Sequence, residues 1–217
     1  MLGLFKPRLP VDGEEFEWLL AAFAWLLREF GGGTDLRGAE LILPDRRFFP
    51  VSRLTGHARA FELFEQVKAH AGMEAWPCAL DASWNDPQAL RDPERLVATF
   101  ALTLARHLIE TTETPPPGGR DLMRHTTELG AVFLGFGVFM ANTARDGGGH
   151  RLLSEGASIA AVALFVALSG ASAREAGQAL REDLRKPFRG ARKAIARDYP
   201  DLRDALATID FGEWHLE

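Results

Sequence analysis

The chain has 217 residues, of which 47% are hydrophobic and 25% charged, and its formal net charge is −5. This is the composition of an ordinary globular protein, and the acidic balance gives no electrostatic reason to expect a nucleic-acid partner. The single cysteine, Cys78, excludes an intrachain disulfide and a cysteine-rich metal cluster.

The apolar segments are short. The two most apolar runs, Leu129 to Ala141 and Ser158 to Leu168, have fewer than the ~20 residues that cross a bilayer. The apolar start of the chain is interrupted by Lys6 and Pro7, which makes it shorter than the apolar core of a signal peptide. We therefore expect a cytoplasmic protein with no membrane partner.

The first part of the chain, about 1–90, combines helices with short extended segments. Apolar residues at helical spacing, acids in the first turn and glycines after the last predict a helix over Gly13–Phe30. A second helix is expected from about Gly56 to Ala71. Apolar runs at 39–52 and 74–81 predict a small β element, and Pro77 limits the second run to an edge strand or a bulge.

From about residue 91 to 217 the pattern is helical throughout. Asp92 is expected to cap a helix that has Pro93 at its first position and ends near Glu110. The turn T-P-P-P-G-G-R then predicts that this helix and the next pack antiparallel at the centre of the fold. The later predicted helices cover about 121–143, 154–169 and 172–184. Pro187 is expected to break or kink the path into a last helix, which ends before Pro200. The fold class is thus α+β but predominantly α, in one domain over 1–217.

One of these helices carries part of a metal-binding motif. In an H-E-x-x-H helix, two histidines on one face hold a zinc ion while the glutamate activates a bound water molecule. The matching residues here read T-L-A-R-H, so that Thr103 replaces the first histidine, Leu104 replaces the glutamate and only His107 remains. A threonine hydroxyl is a poor zinc ligand and leucine cannot accept a proton, which excludes a conventional metalloprotease.

The following helix carries His125 and Glu128, three residues apart and hence on one face. Antiparallel packing would bring this pair close to the polar residues around His107. Two hypotheses follow, because buried polar groups need partners. Either His107 and Glu128 form a buried hydrogen bond, or these residues are the remnant of a metal site.

Four blocks in this order resemble a family of uncharacterised bacterial zincin-like proteins. The blocks are DPERLVATFALTLARHLI, TTELGAVFLGFGVFMANTA, RLLSEGASIAAVALFVAL and LREDLRKPFRGARKAI. The N-terminal segment LILPDRRFFP also resembles a segment of that family, so that the resemblance covers about Leu41 to Ile195. It implies a helical zincin-like core. It also implies that His107 stands at the second zinc-binding histidine and Glu128 at the third ligand, whereas Thr103 and Leu104 depart from the family's pattern.

The sequence thus leads to two functional hypotheses. The first is a non-catalytic, zincin-like scaffold that acts as a binding or structural module, with no catalytic residue and no cofactor. The alternative is a metal-dependent hydrolase or peptidase that holds zinc through His107, Glu128 and His125. The partner is expected to be an unidentified protein or small molecule, and a homodimer is one option. The basic segment from Arg181 to Arg197 is interpreted as a solvated helix face rather than an anion-binding patch.

Overall fold

The computed structural model describes residues 8–31, 57–70, 92–144 and 152–211, and all regular secondary structure in these ranges is helical. The predicted predominance of helix is therefore confirmed. The predicted β element at 39–52 and 74–81 lies outside the described residues, as does Cys78. No helix in the described ranges is both long enough and apolar enough to span a membrane.

The first three helices begin and end where the sequence predicts. They are α1 (Gly13–Phe30), α2 (His57–His70) and α3 (Pro93–Glu110). The first amides of a helix have no intrahelical acceptor, so a side chain must supply one. Asp12 accepts the backbone N–H of Glu15 at 2.8 Å, and Asp92 accepts that of Arg95 at 3.1 Å. Both caps are visible in the sequence, which explains the agreement for α1 and α3.

The prediction of one regular α-helix over 121–143 is wrong, although the chain is helical from Met123 to Thr143. The chain instead forms α4 (Met123–Ala131), a π-helical segment (Val132–Phe136) and α5 (Gly137–Thr143). Gly135 has a φ of 96°, a conformation that glycine adopts without steric cost and other residues avoid. The apolar pattern continues across this change in the backbone, which is why periodicity alone predicts one helix.

The predicted helix over 172–184 is also wrong. Beyond α6 (Glu155–Ser169), which Ser154 caps by accepting the N–H of Ala157 at 2.9 Å, the chain forms α7 (Ala173–Ala179), α8 (Glu182–Asp198) and α9 (Leu202–Ala207). The break falls at Leu180 and Arg181, and Pro187 lies inside α8 rather than at its start.

A buried amide stabilises the break between α7 and α8. The Oδ1 of Asn142 accepts the backbone N–H of Arg181 at 2.9 Å, while its Nδ2 donates to the carbonyl of Ala179 and to Oε2 of Glu94, both at 3.1 Å. The guanidinium of Arg181 in turn donates to the backbone carbonyl of Asn142 at 2.7 Å and to Glu155 at 3.0 Å. Parts of α3, α5, α6, α7 and α8 are thereby joined through one side chain and its neighbour.

The helices α3 and α4 pack antiparallel, as predicted. The start of α3 meets the end of α5 through Glu94 and Asn142, and further along α3 faces α4. A Cβ atom at Gly130 would lie 3.2 Å from both Ala105 and Ile109, so glycine favours this close approach. The apolar helix α6 is buried on nearly every side within the chain, and its burial does not require a second copy.

We expect Asn142→Ala to lower the free energy of unfolding by about 2–3 kcal/mol, because it leaves the N–H of Arg181 and the carbonyl of Ala179 without their buried partner. Urea denaturation followed by circular dichroism measures this loss. The matched control is Gln178→Ala, which removes an exposed amide from α7. Equal stability losses in the two variants would contradict the role assigned to Asn142.

Glu94, which accepts a hydrogen bond from the Asn142 amide, makes the stability of the protein depend on pH. Burial is the main cause that raises the pKa of Glu94 above the ordinary 4.5; Asp92 adds to the rise, while the hydrogen bond from Asn142 and the charge of Arg181 oppose it. The folded protein therefore binds this proton more tightly than the unfolded chain does. Its contribution to stability is fully present below the unfolded pKa and is lost as pH rises through the folded pKa.

The variant Glu94→Gln cannot titrate, yet its amide oxygen can still accept the hydrogen bond from Asn142. We expect its stability relative to the wild-type protein to increase as pH is raised from below 4.5 to neutral. Urea denaturation at several pH values measures the difference between the two free energies of unfolding. A difference that stays constant with pH would show that the carboxyl group has the same pKa in the folded and unfolded states.

Candidate functional site

A cleft of about 410 Å³ lies between α3 and α4, and it is bordered by the segment that leads into α6. Of the residues that the sequence singles out, Thr103 and Glu128 line this cleft. The other three, Leu104, His107 and His125, do not belong to its lining. The structure thus brings together two of the five residues.

Hydroxyl groups in the cleft are engaged with their own helices. Thr103 Oγ1 donates to the carbonyl of Thr99 at 3.0 Å, and Thr99 Oγ1 donates to that of Arg95 at 2.9 Å. From the facing helix, Thr127 Oγ1 donates to the carbonyl of Met123 at 2.9 Å. A hydroxyl becomes a nucleophile when a neighbouring base takes its proton. Here all three hydroxyl groups donate hydrogen bonds to backbone carbonyls, which are not such bases.

Leu104 occupies the position of the catalytic glutamate in the H-E-x-x-H motif. Its side chain is 0% exposed and belongs to the hydrophobic core. A carboxylate in the same place would be surrounded by apolar groups, and its burial would require a compensating charge or metal. This position therefore serves packing.

Glu128 is 5% exposed, and both of its carboxylate oxygens accept backbone hydrogen bonds. Oε1 accepts the N–H of Leu152 at 2.8 Å, and Oε2 accepts that of Leu153 at 3.0 Å. The hydrogen-bond partners of Glu128 are therefore these two backbone amides and not the expected His107 imidazole. No hydrogen bond links Glu128 to His107 within the described part of the chain. The carboxylate thus links α4 to the segment that leads into α6.

The two histidines have different surroundings. His107 lies in the last turn of α3 and is partly exposed. The ring of His125 meets that of Trp18 edge-on, with centroids 6.0 Å apart, and its Nδ1 is buried without a hydrogen-bond partner among the described residues. His125 therefore faces α1, although it shares a helix with Glu128.

These side chains do not fit the zinc site that the resemblance implies. Thr103 donates a hydrogen bond to a backbone carbonyl, Leu104 is in the hydrophobic core, and Glu128 accepts hydrogen bonds from two backbone amides. Across the described ranges, no three histidine, cysteine, aspartate or glutamate side chains are grouped so that they could hold a metal ion.

Comparison with known proteins gives no relative: no family model, no curated protein and no solved structure matches the chain. The resemblance to zincin-like proteins stays a prediction from the sequence. The arrangement of the chain's own residues is therefore the basis for a functional proposal.

We expect Glu128→Ala to lower the free energy of unfolding by about 2–3 kcal/mol, because two backbone N–H groups lose a charged acceptor. Glu128→Gln keeps one accepting oxygen and should lose less. Chemical denaturation compares both with Glu110→Ala, which breaks an exposed ion pair with Arg106 of little energetic value. A loss in Glu128→Ala no larger than in Glu110→Ala would contradict the anchoring role.

Proposed function

We propose that this protein is a non-catalytic, zincin-like helical scaffold that acts as a binding or structural module. The observation that best supports this proposal is the state of Glu128, whose two oxygens accept the amides of Leu152 and Leu153 at 2.8 and 3.0 Å. To act as a metal ligand or a general base, the carboxylate would have to release buried amides, and leaving such groups unpaired is costly.

The remaining charged groups of the cleft also favour binding over reaction. Hydrolysis needs a metal ion or a base that activates water. Arg106 and Glu110 form an ion pair at 2.7 Å, while Arg124 lies on the exposed surface of α4. Guanidinium groups at protein surfaces bind anions or carboxylates and do not take protons from water.

The alternative, a hydrolase that holds zinc with His107, Glu128 and His125, requires two rearrangements. Glu128 would have to leave the start of α6, and His125 would have to turn away from Trp18. Both changes disturb packed regions of the core. The geometry therefore gives this alternative less support.

Metal content separates the two proposals. We expect protein purified without added metal to contain far less than one zinc ion per chain by elemental analysis, and its thermal unfolding to be unchanged by zinc or by a chelator. Stoichiometric zinc that is lost in His107→Ala and His125→Ala, but retained in the control His70→Ala, would establish the hydrolase-type site instead.

A further inference from the structure

A second cleft, of about 640 Å³, runs between α7 and α8. Its lining includes five cationic side chains: Arg174, Arg185, Lys186, Arg189 and Arg192. We call this cleft the basic groove. None of its cations lines the cleft between α3 and α4. From Arg185 to Arg197 the sequence has six lysines and arginines and no acid, in a chain whose formal net charge is −5.

The cations of the basic groove have no ion-pair partners in the described part of the chain. None of its five cations forms an ion pair with a described carboxylate, whereas Arg181 and Arg197, on the same segment, pair with Glu155 and Asp198. Glu182 is the one acid among the described residues that line the groove. Like charges within a Debye length of ~10 Å repel one another, so an anion in the groove would relieve this repulsion.

The structure also holds some of these charges in place. Arg185 donates from Nε to the carbonyl of Leu180 at 2.9 Å and from a terminal nitrogen to that of Gln178 at 3.0 Å. Arg189 Nε donates to the carbonyl of Arg185 at 3.3 Å. Arg185, Arg189 and Arg192 follow one another at helical spacing and so lie along one face of α8. Because Arg185 and Arg189 are already held in place, these two side chains lose less conformational entropy when an anion binds.

The groove's shape and lining narrow the class of anion. Small residues, Ala173 and Gly177, border it on α7, and no aromatic side chain contributes to its described lining. Stacking with the bases of single-stranded nucleic acid therefore lacks a platform. The apolar face of α8, which includes Leu184 and Phe188, is buried in the core and cannot insert into a bilayer. A concave groove between two helices accommodates one extended chain better than the convex surface of a nucleic-acid duplex.

We propose that the basic groove binds an extended acidic segment of a partner protein, with carboxylates of that segment pairing with Lys186, Arg189 and their neighbours. From the sequence alone, this row of cations is interpreted as a solvated helix face. In the proposal it is instead an interaction surface. This inference concerns α7 and α8 only and does not depend on the absence of catalysis at the other cleft.

The test uses the full chain and a fluorescently labelled peptide of alternating glutamate and serine, measured by fluorescence anisotropy at low salt. We expect binding that weakens as salt is added. Lys186→Glu combined with Arg189→Glu should weaken it about tenfold or more, because two groove cations are reversed. The control, Lys193→Glu combined with Arg120→Glu, changes the net charge equally at exposed positions that do not line the groove, and it should keep most of the affinity.

Circular dichroism and thermal unfolding test whether each variant is folded. If the double variant is not folded, Arg189→Ala is a milder substitution that tests the same groove. Equal weakening in the groove and control variants would contradict the proposal, because it would indicate only attraction by net charge. Absence of peptide binding would also overturn it. Tighter binding of a duplex oligonucleotide, or of phosphatidylserine vesicles, than of the peptide would assign the groove to a different anion and reject an acidic protein segment.

Discussion

Backbone groups at the ends of helices lack intrahelical partners, and a core that excludes water must supply those partners from side chains. In this chain, two buried side chains supply such partners to backbone groups at or beside helix ends. Glu128 accepts the amides of Leu152 and Leu153, which directly precede the cap of α6, and Asn142 pairs with the backbone on both sides of the break between α7 and α8. Because each joins segments distant in sequence, the arrangement of the helices depends on these hydrogen bonds.

This use of polar groups has a consequence for chemistry. The interior residues that a zinc site would need are already employed in packing or in backbone hydrogen bonds, as Leu104 and Glu128 illustrate. On the surface the situation is reversed, since the cations of the basic groove have no carboxylate partner in the described structure. The inside of the molecule therefore supports a structural role for its polar groups, and the outside offers charges for recognition.

Local signals in the sequence are sufficient for α1, α3 and α6, because a capping side chain directly precedes an apolar helical pattern in each case. They are insufficient at Gly135, where the apolar pattern continues through a change of backbone conformation. The break before α8 depends on Asn142, which lies 39 residues away from Arg181. Likewise, the spacing of His125 and Glu128 predicts a shared helix but not their neighbours, which tertiary packing determines. The signal that could have indicated a buried polar contact is the amide of Asn142, which directly follows the apolar run from Leu129 to Ala141.

We infer that the Glu128 carboxylate anchors the backbone and does not act as a metal ligand. Amide hydrogen exchange at Leu152 and Leu153, followed by NMR in the wild-type protein and in Glu128→Gln, tests it most directly. We expect slow exchange of both amides in the wild-type protein, faster exchange in the variant, and no effect of added zinc on either amide. Rapid exchange in both proteins, or zinc that speeds exchange of these two amides in the wild type by drawing the carboxylate away, would contradict it.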